Sequence, residues 1–269
     1  MSTARSPGNG LRLLLVNPNT SVHITERLAA SARAALLPGE RLTALTAQAG
    51  PTVVRSAEGL REAQVSALAM VDQHAADHDG VLLGISLDGA AVALRERHPG
   101  LPVVGMTEAA LMSACLRVER VGLLTLGGAL LPLYRERVAQ IGLAQRVVAF
   151  EAPEAPTAFA AGTALVEPAV LDVLAAACER LRDAGAPVGA QVNAQAGAQA
   201  GAPAGAQAIV LAGAVLCGYA AALSARCGMP VFDGVASAVG QLRILCQMRS
   251  AEQHPPDGAA TREPPHAAT

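Results

Sequence analysis

The chain has few charges: of its 269 residues only 16% are Asp, Glu, Lys or Arg, and the formal net charge is −2. It has no basic block, so the sequence carries no electrostatic footprint for a nucleic-acid backbone. Long apolar runs are missing as well. The longest fall well short of the roughly 20 residues that a membrane helix needs, and the opening MSTARSPGNG lacks the apolar centre of a secretory signal. Cysteine appears five times, at 115, 178, 217, 227 and 246, without any Cys-x-x-Cys spacing. The thiols therefore read as reduced, which suits a cytoplasmic protein. No spacing of His, Asp, Glu and Cys matches a metal site. What is present is apolar bulk. A hydrophobic content of 52% is enough for one large core or for two domains of roughly 100 residues each.

Strand-like and helix-like segments alternate along the chain. LRLLLVN at residues 11–17 reads as a strand, and PNTSVHITERLAASARAALL continues it into a helix with Asn, Thr and Ser at its start. A strand near 42–47, a helix over 56–78, a short helix near 90–97 and the strand LPVVGM extend the pattern. The run Val81-Leu82-Leu83, bounded by Gly80 and Gly84, reads as a strand buried on both faces. RVGLLTLGG at 120–128 then starts the order afresh, with the helical LLPLYRERVAQIG behind it. Strands alternating with helices imply parallel sheets, whose ligands gather at the C-terminal ends of the strands.

The restart is an internal repeat. GVLLGISLDG and LPVVGMTEA resemble AIVLAGAVLCG and MPVFDGVAS. Val81 aligns with Ile209 and Pro102 with Pro230, and both differences (209 − 81 and 230 − 102) are 128. Two such halves facing each other place 84–89 opposite 212–218 across a cleft. The segment GAPVGAQVNAQAGAQAGAPAGAQ at 185–207 has no period that could pack a core, and reads as a flexible insertion on the side away from the ligand edge. The expected division is an arm at 1–10, a first α/β half at 11–117 completed by 229–249, a second half at 118–228, and a disordered tail at 250–269.

LLLVNPNTS, DGVLLGISLDGAAVALRE, LPVVGMTEAA, VGLLTLGGALLPLYRERV, AIVLAGAV and MPVFDGVASAV occur in that order over residues 11–245. The ordered set resembles the aspartate/glutamate/hydantoin racemase superfamily, in particular its hydantoin racemase branch. The resemblance implies two pseudo-symmetric flavodoxin-like parallel-sheet halves with the site in their interface, and no cofactor. It also implies two cysteines, one from each half, that remove and return a proton at a carbon α to a carbonyl. The first belongs three residues before the Asp of its loop, which here is Ile85. The second belongs after the late strand, which here is Gly213. Neither position carries a thiol. Relatives of this fold that work with a single cysteine keep a one-base or decarboxylase-like variant open.

The remaining candidates each have a simpler structural role to set beside the chemical one. Cys217, four residues beyond Gly213, could reach the cleft from a helix start, although free Cys is more often core. Ser86 and Asp88 could bind substrate, or else cap the helix that follows them. Asn17, Asn19, Thr20 and Ser21 form a strand-to-helix turn able to hold a carboxylate or imide oxygen while capping that helix. Thr125 occupies the equivalent turn of the second half, where the resemblance implies substrate binding. Glu108 reads as a helix-dipole partner, Arg135 as a solvated residue, and His23 as a surface histidine. The expected function is a cofactor-independent hydantoin-type or amino-acid racemase acting on a small acid or imide such as a hydantoin, an allantoin-like compound or an amino-acid carboxylate. The competing readings are a decarboxylase or isomerase with one nucleophile, and a small-ligand-binding relative without the acid/base pair. A homo-oligomer is left open.

Overall fold

The computed structural model describes residues 10–154, 166–184 and 205–253. Two four-stranded sheets form, each entirely parallel. The first contains β1 (Arg12–Asn17), β2 (Arg41–Thr46), β3 (Gly80–Leu83) and β4 (Val103–Gly105) in the order β2-β1-β3-β4, with α1 (Val22–Ala34), α2 (Ala57–His74) and α3 (Ala91–Arg97) beside it. The second contains β5 (Val121–Leu124), β6 (Val147–Glu151), β7 (Ala208–Leu211) and β8 (Val231–Asp233) in the matching order β6-β5-β7-β8. Its helices are α5 (Leu131–Gln140), α6 (Pro168–Asp183) and α7 (Ala220–Cys227). The chain is thus an α/β protein with two equivalent halves.

Local chemistry accounts for these elements. Every residue of β3, β5 and β7 is buried, as a central strand covered by helices on both faces requires. Ser21 and Ser56 cap α1 and α2, their hydroxyls accepting from the Ile24 and Gly59 amides at 3.4 and 3.1 Å. The offset of 128 seen in the sequence pairs β3 with β7, the 3-10 turn Ser86–Asp88 with Ala214–Leu216, and β4 with β8, end for end. β6 has no counterpart in the sequence reading. VVAFE is a partly covered edge strand without the apolar run that marks the central ones.

The division between the halves differs from the expected one. β8 pairs with β7, so residues 229–233 belong to the second half, and only the helix after them crosses over. That helix, α8 (Gly234–Gln253), packs Val235, Ala238, Val239 and Leu242 against Leu13, Leu15, Leu82 and Val104 of the first half. Its counterpart α4 (Met106–Arg117), expected within the first half, packs Ala110, Leu111 and Ala114 against Val121, Leu123 and Val210 of the second. Each half therefore lends its last helix to the other. The helices touch where they begin: a Cβ on Gly234 would come within 2.4 Å of the Met106 carbonyl oxygen, so only glycine permits this approach.

Two further boundaries move. Most of the insertion, and the arm over residues 1–9, lie outside the described residues. The last three residues of the insertion are held in place: the Ala206 amide donates to Leu181 O at 2.9 Å, and Gln207 Oε1 accepts from the Glu119 and Arg120 amides. Residues 250–253 are the end of α8 rather than the start of a tail, and residues 254–269 lie outside the described residues.

Candidate functional site

A cavity of about 520 Å³ opens at the C-terminal ends of both sheets, the edge where parallel α/β sheets gather their ligands. The first half contributes Pro18, Asn19, Ile24, the stretch 53–55 and the loop 84–86. The second contributes 125–130, Tyr134, Glu154 and 213–215. The two small-residue loops related by the repeat therefore do face each other.

The turn after β1 divides its labour. Asn17 is fully buried and its Nδ2 donates inside the turn, to Asn19 Oδ1 at 3.0 Å, Ser21 O at 3.2 Å and Thr25 Oγ1 at 2.9 Å. Asn19 Oδ1 also accepts from the Ser21 amide at 3.0 Å. With that oxygen spent, the NH2 of Asn19 is what the side chain can offer the cavity it lines. Asn17, Thr20 and Ser21 do not line the cavity. Asn17 and Ser21 hold the turn and cap α1, and Thr20 anchors it through its amide to Pro51 O at 3.0 Å. On the other side Thr125 is 5% exposed and lines the cavity, its amide donating to Glu151 O at 3.0 Å.

The loop after β3 answers what SLDG does. Ser86 lines the cavity. Asp88 does not, and it does not cap α3, the next helix. Its side chain is fully buried, and Oδ1 and Oδ2 accept from the Thr107 and Glu108 amides at 2.8 and 2.9 Å. It thus caps α4, nineteen residues further on. The backbone makes this reach possible, because Leu87, Asp88 and Ala90 adopt φ of 64°, 54° and 72°, a region that non-glycine residues enter only at a cost. Arg137 Nε approaches Asp88 Oδ2 at 3.3 Å, while Arg137 and Arg95 both donate to Glu108 Oε2. Burial nevertheless dominates and pushes the Asp88 carboxyl up to about 6. The expectation that Asp88 caps the helix that follows it is therefore corrected: it caps α4 from a dry pocket. The second half solves the same problem from the opposite strand: Asp233, the repeat partner of Gly105, accepts from the Gly218 and Val235 amides at 2.8 and 2.7 Å.

Both positions implied for the thiols line the cavity. Ile85 has ordinary extended backbone and is buried. Gly213 has φ +123°, where a side chain would be strained. Cys217 is not at the cavity. It lies in the core beside α1 and α8, 2% exposed, and burial drives its thiol well above the ordinary value. It therefore lacks the thiolate character that a nucleophile needs. None of the five cysteines lines the cavity. Among the described residues no His, Cys, Asp and Glu cluster could hold a metal, and no helix is long and apolar enough to cross a membrane.

Sequence reasoning missed Tyr134, Arg55 and Glu154. Tyr134 sits one turn inside α5 among apolar positions, and only the fold brings it beneath Gly213. A Cβ at 213 would be 3.8 Å from Tyr134 Oη and 3.7 Å from Thr125 Oγ1. Tyr134 is 1% exposed, and its hydroxyl has no hydrogen-bond partner among the described residues. The Ser86 and Thr125 hydroxyls are near enough to lower its pKa slightly, yet burial prevails and pushes the phenol up to about 12. Arg135 stacks on Phe150 at 4.3 Å and takes no part in the site.

The Asp/Glu/Hydantoin racemase family model matches residues 13–188. Among solved structures, an allantoin racemase from Klebsiella pneumoniae is 24% identical with a TM-score of 0.75, the match covering 89% of each chain. An allantoin racemase from Pseudomonas fluorescens is 24% identical with a TM-score of 0.73, covering 88% of this chain and 92% of its own. A liganded mutant of arylmalonate decarboxylase is 18% identical with a TM-score of 0.60, covering 95% and 96%. A search of curated proteins gave no match.

Proposed function

The chain belongs to the Asp/Glu/Hydantoin racemase family, and from that premise we propose that it binds a small acid or imide in the cleft and inverts the carbon α to its carbonyl, without a cofactor. The observation that carries this reading is the cleft itself. The Asn19 amide, the Ser86 and Thr125 hydroxyls and the glycine turn at 127–128 surround a cavity of about 520 Å³, which suits a metabolite of hydantoin, allantoin or amino-acid size. Residues 17, 20 and 21 support the site by fixing the turn that presents Asn19. Five unpaired cysteines suit a reducing cytoplasm.

The test is a chiral assay of allantoin, 5-substituted hydantoins, aspartate and glutamate. Inversion of one of them supports the reading. If none is inverted, the racemase reading fails. A second reading is favoured by Ile85, which gives the first-half wall an apolar group where a racemase needs a second proton carrier. In that case the enzyme protonates one face only, as a decarboxylase does, and carbon dioxide release from a substituted malonate would reveal it. A mere binding protein would be stabilised by such acids, with no solvent deuterium reaching the α-carbon.

A further inference from the structure

Position 213 cannot hold the thiol of the second half, because it is glycine in a conformation that side chains avoid. The space is not left without chemistry. We propose that the hydroxyl of Tyr134 is the proton-transferring group on the second-half wall of the cleft, beside the place a side chain at 213 would take; the assignment rests on the one-face reading of the cleft given above.

Three observations carry it. Tyr134 lines the cavity, and a Cβ on Gly213 would stand 3.8 Å from its oxygen, so the missing side chain leaves room for a ligand beside the hydroxyl. The oxygen is buried and lacks a partner among the described residues, an arrangement that costs stability unless something else uses the group. The ring is clamped by Leu111, Val121, Leu123 and Val138, so the hydroxyl is held where it is, as proton transfer demands. Burial pushes the phenol up to about 12, so it is protonated at neutral pH.

The step is a single transfer. Loss of carbon dioxide from the opposite face leaves an enolate that keeps the electron pair of the broken C–C bond. The Tyr134 O–H bond breaks, and its proton forms the new C–H bond with the enolate's electron pair. The phenolate then regains a proton from water. Ile85, which lines the same cavity from the first half, can exchange nothing, so hydrogen enters from the second-half side alone.

Tyr134→Phe removes the oxygen and keeps the ring. Allantoin, 5-benzylhydantoin, aspartate and phenylmalonate are incubated in deuterium oxide with each protein, and label at the α-carbon is followed. Expected is a fall of about 100-fold in the variant's labelling rate, with KM changed less than about threefold and the melting temperature preserved. Labelling by Tyr134→Phe at the wild-type rate overturns the proposal. If the wild type labels none of the four, the functional reading above fails, and the assignment of Tyr134 is decided by a spectrum. The chain has two tyrosines and no tryptophan, so tyrosine absorbance is easily read. Pyrrole-2-carboxylate, whose α-carbon is already planar, should shift the band of the wild type and not of Tyr134→Phe; binding without a shift overturns the proposal.

Discussion

Asp88 carries a carboxyl into a place that water does not reach, and the consequence is an inverted pH dependence. Its pKa is raised from 3.8 to about 6, chiefly by burial, which outweighs Arg137 and the two amides. A raised value means that the fold favours the protonated form. The group's contribution is fully present below about pH 4 and is lost as pH rises through 6, to the extent of roughly 3 kcal/mol at about 1.4 kcal/mol per unit. Melting curves from pH 4 to 7.5 should therefore be flatter for Asp88→Asn than for the wild type; parallel curves would refute this origin. The two asparagines of the first turn separate in the same manner. Asn17→Ala should destabilise the fold by about 2 kcal/mol through its orphaned partners without removing a group that lines the cavity, whereas Asn19→Ala, which takes away the acceptor of Asn17 Nδ2 and of the Ser21 amide, should lower the melting temperature and in addition weaken acid binding, measured by calorimetric titration. At this scale the sequence was a partial guide. Asn19, Ser86 and Thr125 could be picked out because short polar residues at strand ends have few other uses. Asp88 could not be placed, since its partners lie nineteen residues away across a left-handed loop. Tyr134 looked like core because most of it is core.

At the level of elements, the strands and helices inside the repeat were legible almost to the residue, because burial on both faces writes itself as an uninterrupted apolar run. β6 was not legible, since a half-covered edge strand leaves no such run. The insertion before β7 illustrates how packing sets a boundary that composition blurs. Gly205 presses against Arg182, where a Cβ would lie 1.6 Å from the carbonyl oxygen, and Ala206 bonds to Leu181. The two ends that the insertion joins are therefore already adjacent. Replacing residues 185–204 by a two-glycine link should leave the melting temperature within a few degrees of the wild type and the labelling rate unchanged, because shortening a loop with neighbouring ends alters closure entropy only slightly. A drop of ten degrees or more in a thermal scan would show that the segment contributes to the fold.

Over the whole molecule, the pairing of two similar halves was visible in the equal offsets, but their boundary was not, because α4 and α8 cross it. Local pattern records which face of a helix is apolar and is silent about which sheet that face will meet. The crossing is fastened at both ends. Gln241 Nε2 donates to Ala109 O at 2.9 Å, and Arg243 grips the Glu40 carboxylate at 2.7 and 2.8 Å. Scanning calorimetry should accordingly record one transition, with van't Hoff and calorimetric enthalpies in agreement; two resolved transitions would contradict the interlocking. The exchange also bears on ancestry. Two copies of a half-length chain could have traded final helices as a symmetric dimer, each completing the other at a rate set by concentration. Joining them in one chain turns that encounter into an intramolecular one, frees the two copies to diverge, and lets one keep its carboxylate on the loop while the other carries it on the strand.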